Sequence, residues 1–225
     1  MFLSVASGML AQGKVGHWSV IPRIGVDLAS VTKDAYYVTA RDGYTLEKDA
    51  KTRPAFVCGV DAEYRNSEYF SASAGFYYTQ QGAKYEDFSI DIDEHSGYGM
   101  RNDVLKLDYL SAVLMERGYV TPRFSIGLGL QLSMRVNSSR SHEMQDYTIA
   151  DDGAKTYAEV EKMVYDMGNV ANKVVLHMPL SISYEYQNVV LDARYVYGLT
   201  RTFKGAYGKG NNTMLMFTVG YRFNL

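Results

Sequence analysis

The sequence predicts an all-β fold: eight antiparallel strands closed up-and-down into a transmembrane β-barrel, with a short helix in the third long loop. Three observations predict it. Eight stretches alternate apolar and polar residues with period two, the pattern of a strand with two unlike faces. Most run ten residues or more, beyond the roughly five or six usual in soluble sheets. The connections alternate short and long, as successive hairpins require, and a closed meander leaves no free edge.

The strands follow in order. The first, 17–29, sets Trp18, Val20, Pro22, Ile24, Val26 and Leu28 against Ser19, Arg23, Gly25 and Asp27. The second, 54–64, sets Phe56, Cys58, Val60 and Tyr64 against Gly59, Asp61 and Glu63. The third, 69–79, sets Phe70, Phe76 and Tyr78 against Ser71, Ser73 and Gly75. The fourth, 104–115, is the least regular, with Leu105, Leu107 and Tyr109 opposing Lys106 and Asp108. The fifth, YVTPRFSIGLGLQLSM at 119–134, is strict: Phe124, Ile126, Leu128, Leu130 and Leu132 face away from Arg123, Ser125, Gly127, Gly129 and Gln131. The last three are 174–186, 189–199 and 213–223. Short turns fall at 65–68, 116–118 and 187–188, and long loops at 30–53, 80–103 and 136–173, with a shorter one at 200–212.

Composition excludes other classes. The net charge of −2 and the absence of a basic run argue against nucleic acid as a partner. Cys58 is the only cysteine, so there is no internal disulfide and no CxxC motif. No stretch reaches the ~18 apolar residues of a spanning helix. The opening MFLSVASGMLAQ has the apolar run and small residues of a signal-peptide h-region and cleavage site. Residues 1–12 are therefore expected to be a signal-peptide remnant, and 13–225 a single barrel domain.

Periodicity does not say which face is inside. Four features favour an apolar face in lipid and a polar lumen. The segments meet the about 9–11 residues that a tilted membrane strand needs. The polar face is rich in Gly and Ser, as suits the narrow interior of an eight-stranded barrel. Its charges balance: Arg23, Lys106, Arg123, Arg135, Arg194 and Arg222 against Asp27, Asp61, Glu63, Asp108, Glu185 and Asp192. Balance is what a buried ionic network requires, since a buried unpaired charge is costly. Aromatics gather at strand ends on the apolar face. Trp18, Tyr64, Phe70, Tyr184, Tyr186, Tyr221 and Phe223 are expected at the short-turn end, and Phe56, Phe76, Tyr78, Tyr195 and Tyr197 toward the long loops, as two interfacial girdles.

With the strands placed, IPRIGVDLA (21–29), FSASAGFYYTQQGAK (70–84), LDYLSAVL (107–114), RYVYGLTRTF (194–203) and MLMFTVGYRF (214–223) resemble the outer-membrane β-barrel family of Bacteroidetes often called PorT-like. Two departures stand out: Val113 occupies a position where that family has proline, and the chain ends Phe223-Asn224-Leu225 rather than on the aromatic. The resemblance implies a bacterial outer-membrane location, with periplasmic termini, extracellular long loops and a last strand read by the barrel-assembly machinery. It implies little about activity.

Candidate chemistry is sparse. Of the histidines, His17, His95, His142 and His177, only His177 points into the lumen from mid-strand, and no nucleophile–base pattern surrounds it. The segment DIDEHSG offers Asp91, Asp93 and Glu94 as a weak set of oxygen ligands for a divalent cation, without the spacing of an EF-hand. No cofactor is expected. Thr156–Glu159 fits a capping box, and Tyr157, Val160, Met163, Val164 and Met167 recur at helical spacing before Gly168, which predicts the helix at 156–167. The expected function is a structural or surface-interaction role, adhesion or binding, for a monomer whose partners are the lipid bilayer and lipopolysaccharide or another surface ligand at the acidic loops. The alternatives are a narrow pore for small solutes and a lipid A-modifying enzyme.

Overall fold

The computed structural model describes residues 14–32, 35–39, 45–204 and 210–225. The expected signal-peptide remnant lies outside these residues. The elements are β1 (Trp18–Thr32), β2 (Ala35–Thr39), β3 (Thr45–Asp49), β4 (Arg53–Arg65), β5 (Phe70–Lys84), β6 (Phe88–Asp91), β7 (Ser96–Tyr119), β8 (Phe124–Ile149), β9 (Lys155–Tyr157), β10 (Glu161–Asp166), β11 (Val174–Tyr186), β12 (Val189–Arg201), β13 (Asn211–Tyr221) and β14 (Phe223–Asn224).

Eight of them close a ring of antiparallel neighbours: β8-β11-β12-β13-β1-β4-β5-β7, with β7 returning to β8. The seam pairs the first long strand with the last, from Arg23 opposite Gly220 to Thr32 opposite Asn211. The two termini and the short turns lie at one end, and the long connections at the other. The outer wall is apolar in the way the alternation implies. Ile24, Val26, Leu128, Leu130, Ile182, Leu191 and Phe217 are all exposed, and an exposed apolar surface of this extent marks contact with something other than water.

At the long-loop end the strands outrun the ring. β7 has 24 residues and β8 has 26, more than twice the about 9–11 residues a tilted strand needs to cross a membrane. Their far halves join β6 and β10 into a sheet in the order β6-β7-β8-β10, extended by β9 beside the tip of β8. Much of what reads as loop at 80–103 and 136–173 is therefore strand. Register shifts between Arg101 and Val104 and between Asp108 and Tyr109 add residues to the ladder. They carry the barrel's inner face onto even numbers, Tyr98 and Met100 in β7 and Arg140, His142 and Met144 in β8. Asn102 sits at the first shift with φ 53°, and its backbone N–H donates to Asp87 Oδ1 at 2.9 Å.

The helix expected at 156–167 is not formed. Residues 155–157 and 161–166 are β9 and β10, antiparallel to β8. The helical spacing of Tyr157, Val160, Met163 and Val164 coexists with a period-two reading of EKMVYD. The backbone of β8 from Ser139 to Met144 offers a row of donors and acceptors that a strand satisfies and a helix does not. Thr156, expected to cap a helix, pairs with Thr148.

Two of the three expected short turns lie where the alternation breaks. The third is shifted: β7 runs on through Glu116, Arg117 and Gly118 to Tyr119, and the turn is made by 120–123, where Thr121 Oγ1 accepts from the backbone N–H of Phe124 at 3.0 Å. The β11–β12 turn has Gln187 at φ 48° and Asn188 at φ 66°, the two left-handed residues of a tight hairpin. Asn tolerates this conformation and Gln does not, at a cost of roughly 1–2 kcal/mol. Gln187→Gly is therefore expected to stabilise the folded barrel by about 1 kcal/mol, read as a higher urea midpoint in lipid vesicles, whereas Asn188→Val is expected to lower it.

Candidate functional site

The interior is filled in layers from the short-turn end upward. The lowest is an ionic cluster built from five strands and the residue after β13. Arg23 Nε donates to Asp61 at 2.7 Å. Arg194 reaches Asp192 at 3.2 Å and Asp61 at 4.0 Å. Arg222 bridges Glu63 and Glu185, each at 3.0 Å. Arg117 joins the two halves, 3.2 Å from Asp192 and 3.7 Å from Glu63. The count is four arginines, Arg23, Arg117, Arg194 and Arg222, against four carboxylates, Asp61, Glu63, Asp192 and Glu185, all buried. Hydroxyls complete it. Ser183 Oγ donates to Asp192 at 2.5 Å, and Tyr119 Oη donates to Glu63 at 2.9 Å. The Arg65 guanidinium caps the cluster, 3.6 Å above the Tyr119 ring.

Small residues make room for it. A Cβ on Gly75 would lie 2.2 Å from the Asp61 carboxylate, and one on Gly59 would lie 2.3 Å from the Tyr77 ring. The space left among the charges has a volume of about 10 Å³, room for a single water.

Above the charges sits an apolar layer of Ala29, Val57, Val113, Val196, Met214 and Met216. A polar belt follows, in which Ser133 Oγ lies 3.3 Å from His177 Nδ1 and 2.8 Å from Ser111 Oγ. Gln131 Nε2 donates to both serines, and Asn212 is hydrogen-bonded to Gln81. The top layer is a second apolar core of Val31, Tyr85, Leu105, Leu107, Tyr109, Val175 and Phe203.

Seven of the twelve charges expected in the lumen meet in the cluster: Arg23, Asp61, Glu63, Glu185, Asp192, Arg194 and Arg222. Asp27 is also buried, but neither carboxylate oxygen has a hydrogen-bond partner. Four are placed differently. Lys106 is exposed, because Leu105, Leu107 and Tyr109 take the inner face of β7 there. Asp108 lies at the register shift and accepts from Asn137 Nδ2 at 3.1 Å. Arg123 is exposed in the turn, its guanidinium 5.5 Å over the Tyr186 ring. Arg135 is half-buried near the long loops, bonded to Ser138 and to the Gly168 carbonyl. Sequence reasoning missed Arg117, placed in a turn, although its alternation with Met115 and Tyr119 is in the chain. The aromatics expected as girdles face outward, most of them exposed and Tyr64 and Tyr78 half-buried.

The acidic segment holds no convergent ligand set. Asp91 accepts from Lys155 Nζ at 2.8 Å and Tyr147 Oη at 2.5 Å, and these bonds hold its carboxyl below the usual carboxylate range. Asp93 accepts from Ser96 Oγ and the His95 backbone N–H.

The network predicts an unequal response to two cation deletions. Arg117→Met leaves Glu63 and Asp192 each short of a buried partner and is expected to cost about 3 kcal/mol. Lys106→Met is expected to change stability by less than about 0.5 kcal/mol. Urea titrations in vesicles, followed by tryptophan fluorescence, measure both.

The chain is similar to Ail, the attachment invasion locus protein of Yersinia pestis, at 14% identity over 93% of this chain and 100% of that one, with a TM-score of 0.44. It is similar to Neisserial surface protein A at 13% identity, over 92% of this chain and 97% of that one, with a TM-score of 0.43. It is also similar to the outer membrane protein AlkL at 14% identity, over 100% of this chain and 96% of that one, with a TM-score of 0.41. A sequence search of curated proteins finds no match. The model of the outer membrane protein beta-barrel domain matches residues 10–204, and the chain belongs to that family of bacterial outer-membrane β-barrels.

Proposed function

We propose that the protein is a plugged outer-membrane anchor that holds a β-sheet at the cell surface, with a structural or surface-interaction role and no catalytic one. The observation that carries this reading is the filled interior. Four arginines and four carboxylates occupy the lower lumen around about 10 Å³ of space, and an apolar core closes the upper lumen. A conduit leaves its axis open, and this one spends its axis on packing. The 24 and 26 residues of β7 and β8 supply the second half of the argument, since only part of each is needed to span.

In this reading the long-loop end faces outward and the termini face the periplasm. Residues 1–12 are a secretory signal remnant, 13–225 a single monomeric barrel domain, and the last strand the segment the assembly machinery engages. The partners are the bilayer and lipopolysaccharide or another surface ligand at the β6-β7-β8-β10 sheet. The motifs at 70–84, 194–203 and 214–223 favour membership of the PorT-like branch of Bacteroidetes barrels.

Planar bilayers test the reading. The purified protein is expected to insert without steady conductance steps, and a reproducible ohmic step would establish a pore instead. Mass spectra of lipid A from cells overproducing the protein are expected to match those of control cells. A shifted lipid A mass would replace the anchoring role with an enzymatic one.

A further inference from the structure

The sheet above the barrel carries a groove of about 830 Å³ on its inner face, lined by Met100, Met144, Met163, Met167, His142 and Tyr165 among others. Four of the chain's eleven methionines thus meet in one place. The strand register brings three of them together with the histidine. Met100 in β7 is the direct partner of Met144 in β8, and Met163 in β10 is the direct partner of His142, two residues before Met144. Side chains directly opposite on one face have Cβ atoms about 4.5–5.5 Å apart. The two pairs therefore form one contiguous patch of three thioethers and an imidazole.

The imidazole is built into this patch. His142 is 9% exposed, and its Nδ1 is buried with no hydrogen-bond partner. A buried ring nitrogen without a partner is costly, and the His142 side chain stands on a groove wall to which four thioethers also contribute. Tyr165 fixes the geometry from two sides. Its ring stacks on His142 with centroids 5.5 Å apart and planes at 28°, and its hydroxyl donates to Met163 Sδ at 3.0 Å. The guanidinium on the groove wall is engaged elsewhere: Arg140 makes two bonds to Asp103, at 2.9 and 2.7 Å, and lies 4.7 Å over the Tyr85 ring. Asp146, also on the groove wall, supplies one negative charge.

A groove made only to hold an apolar ligand has no use for an unpartnered imidazole nitrogen, and calcium takes about six to eight oxygen ligands where this wall offers one carboxylate, Asp146. Uncharged thioethers with one imidazole are a soft donor set, which selects copper(I) over hard divalent ions. We propose that Met100, Met144, Met163 and His142 form a binding site for a soft monovalent cation of the copper(I) class, carried on the sheet outside the barrel ring. No electron transfer is part of the proposal.

The test uses the full chain in detergent micelles under anaerobic conditions. Copper(I) is offered against the chelator bicinchoninate, and silver(I) serves as a redox-inert probe in calorimetry. The wild-type protein is expected to withdraw one equivalent of either ion, unaffected by excess zinc or calcium. Met144→Leu and Met163→Leu keep the groove apolar and are each expected to weaken binding several-fold; the pair together is expected to weaken it more than tenfold. His142→Gln tests the nitrogen independently and is expected to remove the nitrogen scatterer from the copper X-ray absorption spectrum. Met178→Leu, on the outer wall of β11, is expected to change nothing. Heat-modifiable migration on gels verifies that each variant is a closed barrel. Failure to withdraw copper(I) from the chelator, or unchanged affinity in the folded Met144→Leu/Met163→Leu protein, would overturn the proposal.

Discussion

Burying charge in the lower lumen is the constraint on which the rest of the structure depends. Eight ionised groups lie inside a ring of eight strands, and none of them is worth burying unless every partner arrives at its place. Arg117 spans from Glu63 on β4 to Asp192 on β12, and Arg222 ties Glu63 to Glu185 on β11. A one-residue slip of any strand would exchange its inner and outer faces. It would put an arginine or a carboxylate into the apolar surroundings of the wall and leave its partners bare. The network thus specifies register more than it adds stability, and the small residues at Gly59 and Gly75 follow from it, because the ring is too narrow for charged side chains and a second layer of Cβ atoms.

The strands that cross the apolar band were legible because one rule covers their whole length: apolar outside, polar inside. That rule places Arg23, Asp61, Glu185, Asp192 and Arg194 correctly from spacing alone. It fails at Lys106 because the surroundings change along the strand while the alternation does not. Beyond the band the outer face meets water, so Lys106 points out and Leu105, Leu107 and Tyr109 point in. The same residues read by the membrane rule come out inverted. Period two identifies two faces, and only the medium outside says which of them is the core.

The segment at 155–166 was illegible for another reason. Its residues satisfy a helical and an extended spacing about equally, and short segments take their conformation from neighbours. The neighbour here is the far half of β8, an exposed ladder that no sequence window around residue 160 contains. The groove was equally hidden. Met100, Met144 and Met163 lie far apart in the chain and meet only through strand pairing, while two register shifts turn the even-numbered residues of β7 and β8 inward.

The seam between β1 and β13 has a consequence for how the barrel forms. Every other junction in the ring joins strands nearer in the chain, so hairpins can assemble by local search. The seam joins Arg23 to Gly220 and pays the largest loop-closure entropy. Arg23 and Arg222 stand on either side of that closure, and their carboxylates, Asp61, Glu63 and Glu185, belong to strands from both sides of the chain. Until the ring shuts, those ions remain hydrated. The last pairing to form is therefore the one that dehydrates the network, so closure and correct register are settled in a single cooperative event, and a barrel that closes out of register meets its penalty only at the final step.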